Sequence, residues 1–415
     1  MRKTILTLII NLIAILSFSQ ELVVFARIDD SWKLIDLNEN KIFDKEFTHL
    51  YSPSFDYWKP PRCNSIIHMP SDKVFKVQNK TSYGFLDLNG NFIINPKFYK
   101  VSDFKNGFAI VENETGFDYI NKLGENITDK NFYEAYGFID GLAVVKHKTK
   151  WNYIDTTGNF VFEKGFKDAF SFKNGYALVK TKTGWGVINK ETTWIIQPKY
   201  SNLIRIGKDR FAFKEKNKWG VIDFKEKLLS HAIYDKIKEY SNSMAAVYLK
   251  NHWGFIDLDG KLVIDCKYDK VKDFSEDVTI VFNNNSGGII NKNGEIIVEI
   301  KYDNIKSCKE GIFRIKQGEF WGYLKKDGSV LVAPKYLGAE DFSQGFARVK
   351  TETQRFFINK NGENQFNTFY EGCYDYVNGY ARVKIGYKWG LIDKTGELVI
   401  QAKYRNITKV FDLNK

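Results

Sequence analysis

An aromatic side chain returns every 34 residues along this 415-residue chain, at Tyr83, Phe117, Trp151, Trp185, Trp219, Trp253, Trp321 and Trp389, with Gly287 and Arg355 at the two remaining positions of the series. A second ladder stands fifteen residues behind the first, at Phe98, Phe132, Phe166, Tyr200, Tyr234, Tyr268, Tyr302, Tyr336, Tyr370 and Tyr404, and is aromatic in all ten copies. Rows of rings at a fixed interval have two uses. They can offer flat faces to sugar rings or cationic groups, or they can fill the core of a repeating structure. Their neighbours are Ala and β-branched residues, which favours the core, and an aromatic platform for a glycan is the alternative.

Other chemistry is thinly represented. An Asp or Asn recurs at Asp87, Asn121, Asp155, Asp257, Asn291, Asn359 and Asp393, each three residues before a Gly. One carboxylate or amide per repeat is far from the six to eight converging oxygens of a calcium site, so these residues are expected to cap turns. The histidines His49, His68, His147, His231 and His252 share no repeat position and sit in no nucleophile, zinc or phosphate motif. Cys63, Cys266, Cys308 and Cys373 have no metal spacing, although a bridge between Cys266 and Cys308 of adjacent units is conceivable. No catalytic residue, metal or cofactor is therefore expected, and the chain reads as a non-enzyme.

The elements that carry these residues follow from the period. Ten copies without a slip in spacing mark a repeat array, in which each unit buries its apolar face against its neighbours. Within one unit, Tyr176-Ala177-Leu178-Val179-Lys180 alternates as a half-buried strand, and Trp185-Gly186-Val187-Ile188-Asn189 is a second. An Asp/Asn-x-x-Gly turn leads to a third β-branched strand such as Leu262-Val263-Ile264, and an irregular link of roughly ten residues follows. A third ladder, Ala109, Ala143, Ala177, Phe211, Ala245, Thr279, Phe313, Ala347 and Ala381, keeps the same register behind an aromatic-x-x-Gly turn. The fold class is all-β. Three strands per unit and at least ten units predict an open solenoid or superhelical array of β-meanders, with a β-propeller-like ring as the alternative.

The ends differ. Residues 1–19 combine Arg2-Lys3 with an apolar run and a small-residue exit, the pattern of a secretory signal peptide with no lipid-anchoring Cys. Residues 20–72 form a divergent first unit: Trp32-Lys33-Leu34-Ile35-Asp36 is a degenerate copy of the aromatic strand, and the segment after it holds Pro53, Pro60, Pro61 and Pro70, an inserted loop or cap. The array proper spans 73–408, and 409–415 is a tail that closes or frays the last unit. With 43% hydrophobic and 16% aromatic residues the chain can build a substantial core. Its net charge of +12 favours acidic surfaces weakly, or simply reflects lysines that keep exposed strand edges from pairing.

These motifs resemble the bacterial WG-repeat family, whose units carry a Trp-Gly-Phe-Ile-Asp-like strand, an Asp-x-x-Gly turn, a Leu-Val-Ile-like strand and a Tyr-Asp corner. The resemblance runs from Tyr83 to Tyr404 and departs from the pattern at Gly287-Gly288, at Arg355-Phe356, and at Thr192 and Glu226, where the turn Gly is lost. What it implies is an extracytoplasmic scaffold or binding protein with no assigned reaction. The expected partner is a protein or an envelope glycan, with no nucleic acid and no membrane-spanning segment once the signal is removed. The expected location is outside the inner membrane.

Overall fold

A computed structural model describes residues 22–28, 31–41, 49–50, 66–71, 74–79, 82–87, 91–306 and 308–412. The expected signal peptide and the segment around Cys63 lie outside the described residues. Within them the protein is all-β, with no helix.

The repeat becomes one antiparallel sheet. In the sheet of Gly287 the strands Lys270–Val271, Val278–Asn283, Ser286–Asn291 and Ile296–Tyr302 lie side by side in chain order. The sequence predicts three strands; the structure has four. The extra strand is only two residues long and sits inside the expected irregular link, too short to show an alternating pattern. The chain divides into two compact units, residues 1–98 with 370–415, and residues 99–369. Among the described residues the second holds eight sheets and the first holds three.

In the first unit both ends of the array meet. Leu22–Ile28 pairs on one side with Ser31–Asp36 and on the other with Asn406–Ile407 and Phe411–Asp412. Val24, Ala26 and Ile35 share a buried cluster with Leu391, Ile400, Tyr404 and Ile407. An open solenoid keeps its first and last repeats apart, so the expected solenoid is corrected. Four-stranded up-and-down sheets whose series ends in one composite sheet have the topology of a β-propeller, the architecture held as the alternative.

Cross-strand register explains the ladders. Trp185 faces Tyr200, Trp219 faces Tyr234, Trp253 faces Tyr268 and Trp389 faces Tyr404, so the fifteen-residue offset is a cross-strand pair. The third ladder pairs likewise, Ala177 with Ile188 and Ala245 with Ile256. Small residues there let neighbouring sheets approach, and the buried rings do the filling: Phe255 and Tyr268 pack with Phe274, Val281 and Ile290 of the following sheet. Each fully buried side chain of this size stabilises by roughly 1.5–3 kcal/mol.

The Gly of the Trp-Gly pair is expected to make room for the indole. Its role is different. Between Trp253↔Tyr268 and Phe255↔Ile264 the register shifts, so that three residues of the fourth strand bulge past Gly254. A Cβ on Gly186 would stand 2.6 Å from the Ile196 carbonyl oxygen, and one on Gly288 would stand 2.7 Å from that of Val298. Backbone occupies the space a side chain would need. The sheets of Phe117, Trp151 and Arg355 carry Asp118, Asn152 and Phe356 at this position, and these are the sheets with three strands instead of four. Asn152 fills the gap by donating to the Phe162 carbonyl at 2.8 Å, and Asp118 by accepting from Asn126 Nδ2 at 2.6 Å.

Candidate binding surface

The turn carboxylates are structural caps. Asp257 Oδ1 accepts the backbone N–H groups of Asp259 at 3.0 Å and Lys261 at 2.9 Å, and Asn291 makes the same pair with Asn293 and Glu295. Hydrogen bonds from Thr395 hold the Asp393 carboxyl below its usual range. Where the turn Gly is missing, Thr192 and Glu226 take the left-handed conformation at φ 62° and the turn is unchanged. Cys266 and Cys308 are both free thiols, so the conceivable bridge between them is not formed. Among the described residues no three His, Cys, Asp or Glu side chains gather as a metal site.

The two aromatic ladders separate by burial. Tyr234, Tyr268, Tyr302, Tyr336, Tyr370 and Tyr404 are core, as are Phe98, Phe132 and Phe166, whereas Tyr200 is half-buried. The first ladder is different: Trp185 is buried, but Tyr83, Phe117, Trp151, Trp219, Trp253, Trp321 and Trp389 are half-buried. They form neither a sealed core nor open platforms.

What covers them is set by register. Lys146, Lys180, Lys214 and Lys384 are the cross-strand partners of Trp151, Trp185, Trp219 and Trp389. The ammonium of Lys146 lies 5.4 Å from the ring centre of Trp151, that of Lys180 lies 5.6 Å from Trp185, and that of Lys214 lies 5.4 Å from Trp219. Cation–π attraction at an open surface is worth about 0.5–1 kcal/mol per pair. At the end of the short first strand, or within it where it is longer, a further side chain stands at a fixed position: Tyr136 over Trp151, Phe170 over Trp185, Lys238 over Trp253 and Tyr374 over Trp389. Ile204, Lys272, Lys306 and Glu340 occupy it elsewhere. Sequence reasoning missed this position because its residue types follow no pattern; its only signal is the 34-residue spacing itself.

At three of these positions a buried tyrosine of the sheet before holds the backbone in place. Tyr119 donates its hydroxyl to the carbonyl of Tyr136, Tyr153 to that of Phe170 and Tyr323 to that of Glu340, each at 2.7 Å and each from the preceding sheet. Burial pushes these phenols well above their ordinary pKa, so they remain donors. The repeated frame thus presents one changeable side chain at this place in successive sheets.

The model of the WG containing repeat family matches ten consecutive segments between residues 83 and 411. The chain belongs to the WG containing repeat family. Among the described residues, ten of the eleven sheets carry the aromatic strand of a matched repeat, and the composite sheet at the chain ends lies largely before the first match. No curated protein matches this WG-repeat chain. Among solved structures it is similar to a eukaryotic initiation factor at 11% identity, with 95% of this chain and 98% of that one covered and a TM-score of 0.41. It is also similar to Hsv2p of Kluyveromyces lactis at 11% identity, with 55% and 92% covered and a TM-score of 0.30. The WD40 domain of Neurospora crassa Pan2 gives 11% identity, 55% and 87% coverage and a TM-score of 0.26. Likeness at this level carries no function across to the WG-repeat chain.

Proposed function

We propose that this WG-repeat protein is a non-catalytic interaction module that acts outside the inner membrane. The observation that carries the reading is the variable position Tyr136, Phe170, Ile204, Lys238, Lys272, Lys306, Glu340 and Tyr374, set on an otherwise repeated frame. A frame that repeats while one outward residue per sheet changes is built for recognition, because specificity needs variety only at the surface. The basic start, apolar run and small-residue exit of residues 1–19 support export. No helix among the described residues is long and apolar enough to cross a membrane.

Fractionation of cells expressing the tagged chain tests this reading. Recovery from the envelope or the medium with the leading segment removed, as read by mass spectrometry of the N-terminus, is the expected result. Cytoplasmic recovery with an intact N-terminus contradicts it, and so does a turnover that depends on one cluster of side chains.

A further inference from the structure

We infer that the consecutive sheets of Trp151 and Trp185 form a binding surface for an anionic polysaccharide, with Tyr136 and Phe170 as stacking faces and Lys180 as the cation that reads the acid group. The inference rests on the interaction-module reading and names its ligand class.

Three observations carry it. The first is exposure without disorder of position. Phe170 is 55% exposed and Tyr136 is 48% exposed, yet each backbone is pinned by a buried tyrosine hydroxyl and each ring lies against an indole. Phe170 and Trp185 have ring centres 5.4 Å apart at an interplanar angle of 30°, and Tyr136 and Trp151 are 6.1 Å apart at 40°. A large ring held against an indole at the surface loses little conformational entropy when a partner stacks on it. The second is charge. Lys180 lies over Trp185 and, among the described residues, has no carboxylate within ion-pair distance, its cross-strand neighbour Asp168 being too short to reach it, whereas Lys146 of the neighbouring sheet is paired with Glu134 at 2.8 Å. A cation beside a flat aromatic face complements a sugar ring bearing a carboxylate or sulfate group, since the ring's apolar face stacks while the acid pairs. The third is repetition. The two faces occupy equivalent places on successive 34-residue units, so the surface offers the same contact twice in series, as a polymer of like sugars does.

Affinity electrophoresis of the full mature chain in gels containing polygalacturonate, with dextran as the neutral control, tests the proposal. Retardation by polygalacturonate that exceeds retardation by dextran and weakens with salt is expected. Changing both Phe170→Ala and Tyr136→Ala should lower the affinity by about tenfold or more, and Lys180→Gln should lower it by a few-fold while flattening the salt dependence. Circular dichroism of the variants should be unchanged, since all three side chains are at least partly exposed. Equal retardation in both gels, or retardation by polygalacturonate that survives the double change, overturns the proposal and leaves a diffuse charge effect. If neither gel retards the chain while an envelope protein is captured through other residues, the glycan inference fails and the interaction-module reading stands.

Discussion

The backbone N–H of Phe25 donates to Thr408 Oγ1 at 3.0 Å, and the N–H of Thr408 donates back to the Phe25 carbonyl at 2.9 Å, across 383 residues of chain. The same two ends are tied a second time. Glu39, at the turn-Gly position of the first unit, accepts from Tyr404 Oη at 2.7 Å and pairs with Lys403, as Glu226 pairs with Lys199 of the sheet before it. The first and last units therefore relate to each other as two consecutive repeats do. The composite sheet takes its short strand from the C-terminus and its hairpin from the N-terminus, so Leu22–Ile28 is paired on both sides.

Gly254→Ala should destabilise the chain by about 2–3 kcal/mol, because the added methyl overlaps backbone of the fourth strand and that strand cannot move without losing its pairing. Urea unfolding beside the wild type measures this. An effect below about 0.5 kcal/mol, the level of an ordinary surface change, would remove the steric account of the Trp-Gly pair.

Asp118 is buried, and burial raises its carboxyl to about 6. A carboxyl whose folded value lies above its unfolded value of 3.8 binds protons more tightly when folded, so its contribution falls as pH rises from about 4 to about 6. Asp118→Asn should therefore stabilise at pH 7, by roughly 1 kcal/mol after allowance for solvent screening, and leave stability near pH 4 little changed. Asn152 already fills the equivalent site in the next sheet, accepting from the N–H of Tyr153 at 2.8 Å as Asp118 does from Tyr119. Melting curves of both proteins across this range check the sign; a variant less stable at pH 7 would contradict it.

Thr192 is β-branched and held at φ 62°, a conformation that costs a non-glycine residue roughly 1–2 kcal/mol. Thr192→Gly should raise stability by about 1 kcal/mol, less the entropy that glycine loses on folding. Glu226→Gly should gain less, since Glu226 also pairs with Lys199. Equal gains at both positions would show that the ion pair contributes nothing.

Much of this architecture is legible in the residues. The 34-residue spacing locates every repeat, the Asp/Asn-x-x-Gly signal locates the turns, and the paired ladders reflect cross-strand partners. The fourth strand was not legible because two residues such as Lys270–Val271 carry no periodic signal. Joining of the ends was not legible either, since pairing of Ala26 with Ile407 depends on how each sheet turns against the next, which no local pattern encodes. At the candidate surface, burial separates rings that look alike in sequence: Tyr268 is core, whereas Trp253, its partner on the neighbouring inner strand, is half-buried and covered by Tyr248 and Lys238. Tyr136 and Phe170 escaped notice because their repeat position carries a different residue type in successive units, so only its spacing marks it.

The most direct test is a cross-link between the two ends. Arg27 and Asn406 are ladder partners, and Cα atoms of an antiparallel pair lie about 4.5–5.5 Å apart, within disulfide range. Lys270 and Phe282 occupy the equivalent place within a single sheet and serve as the control pair. Cysteines introduced at 27 and 406 should join under mild oxidation as readily as cysteines at 270 and 282, with the linked peptides identified by mass mapping. A chain that forms the 270–282 link but never the 27–406 link would be an open array, and the composite sheet would be wrong.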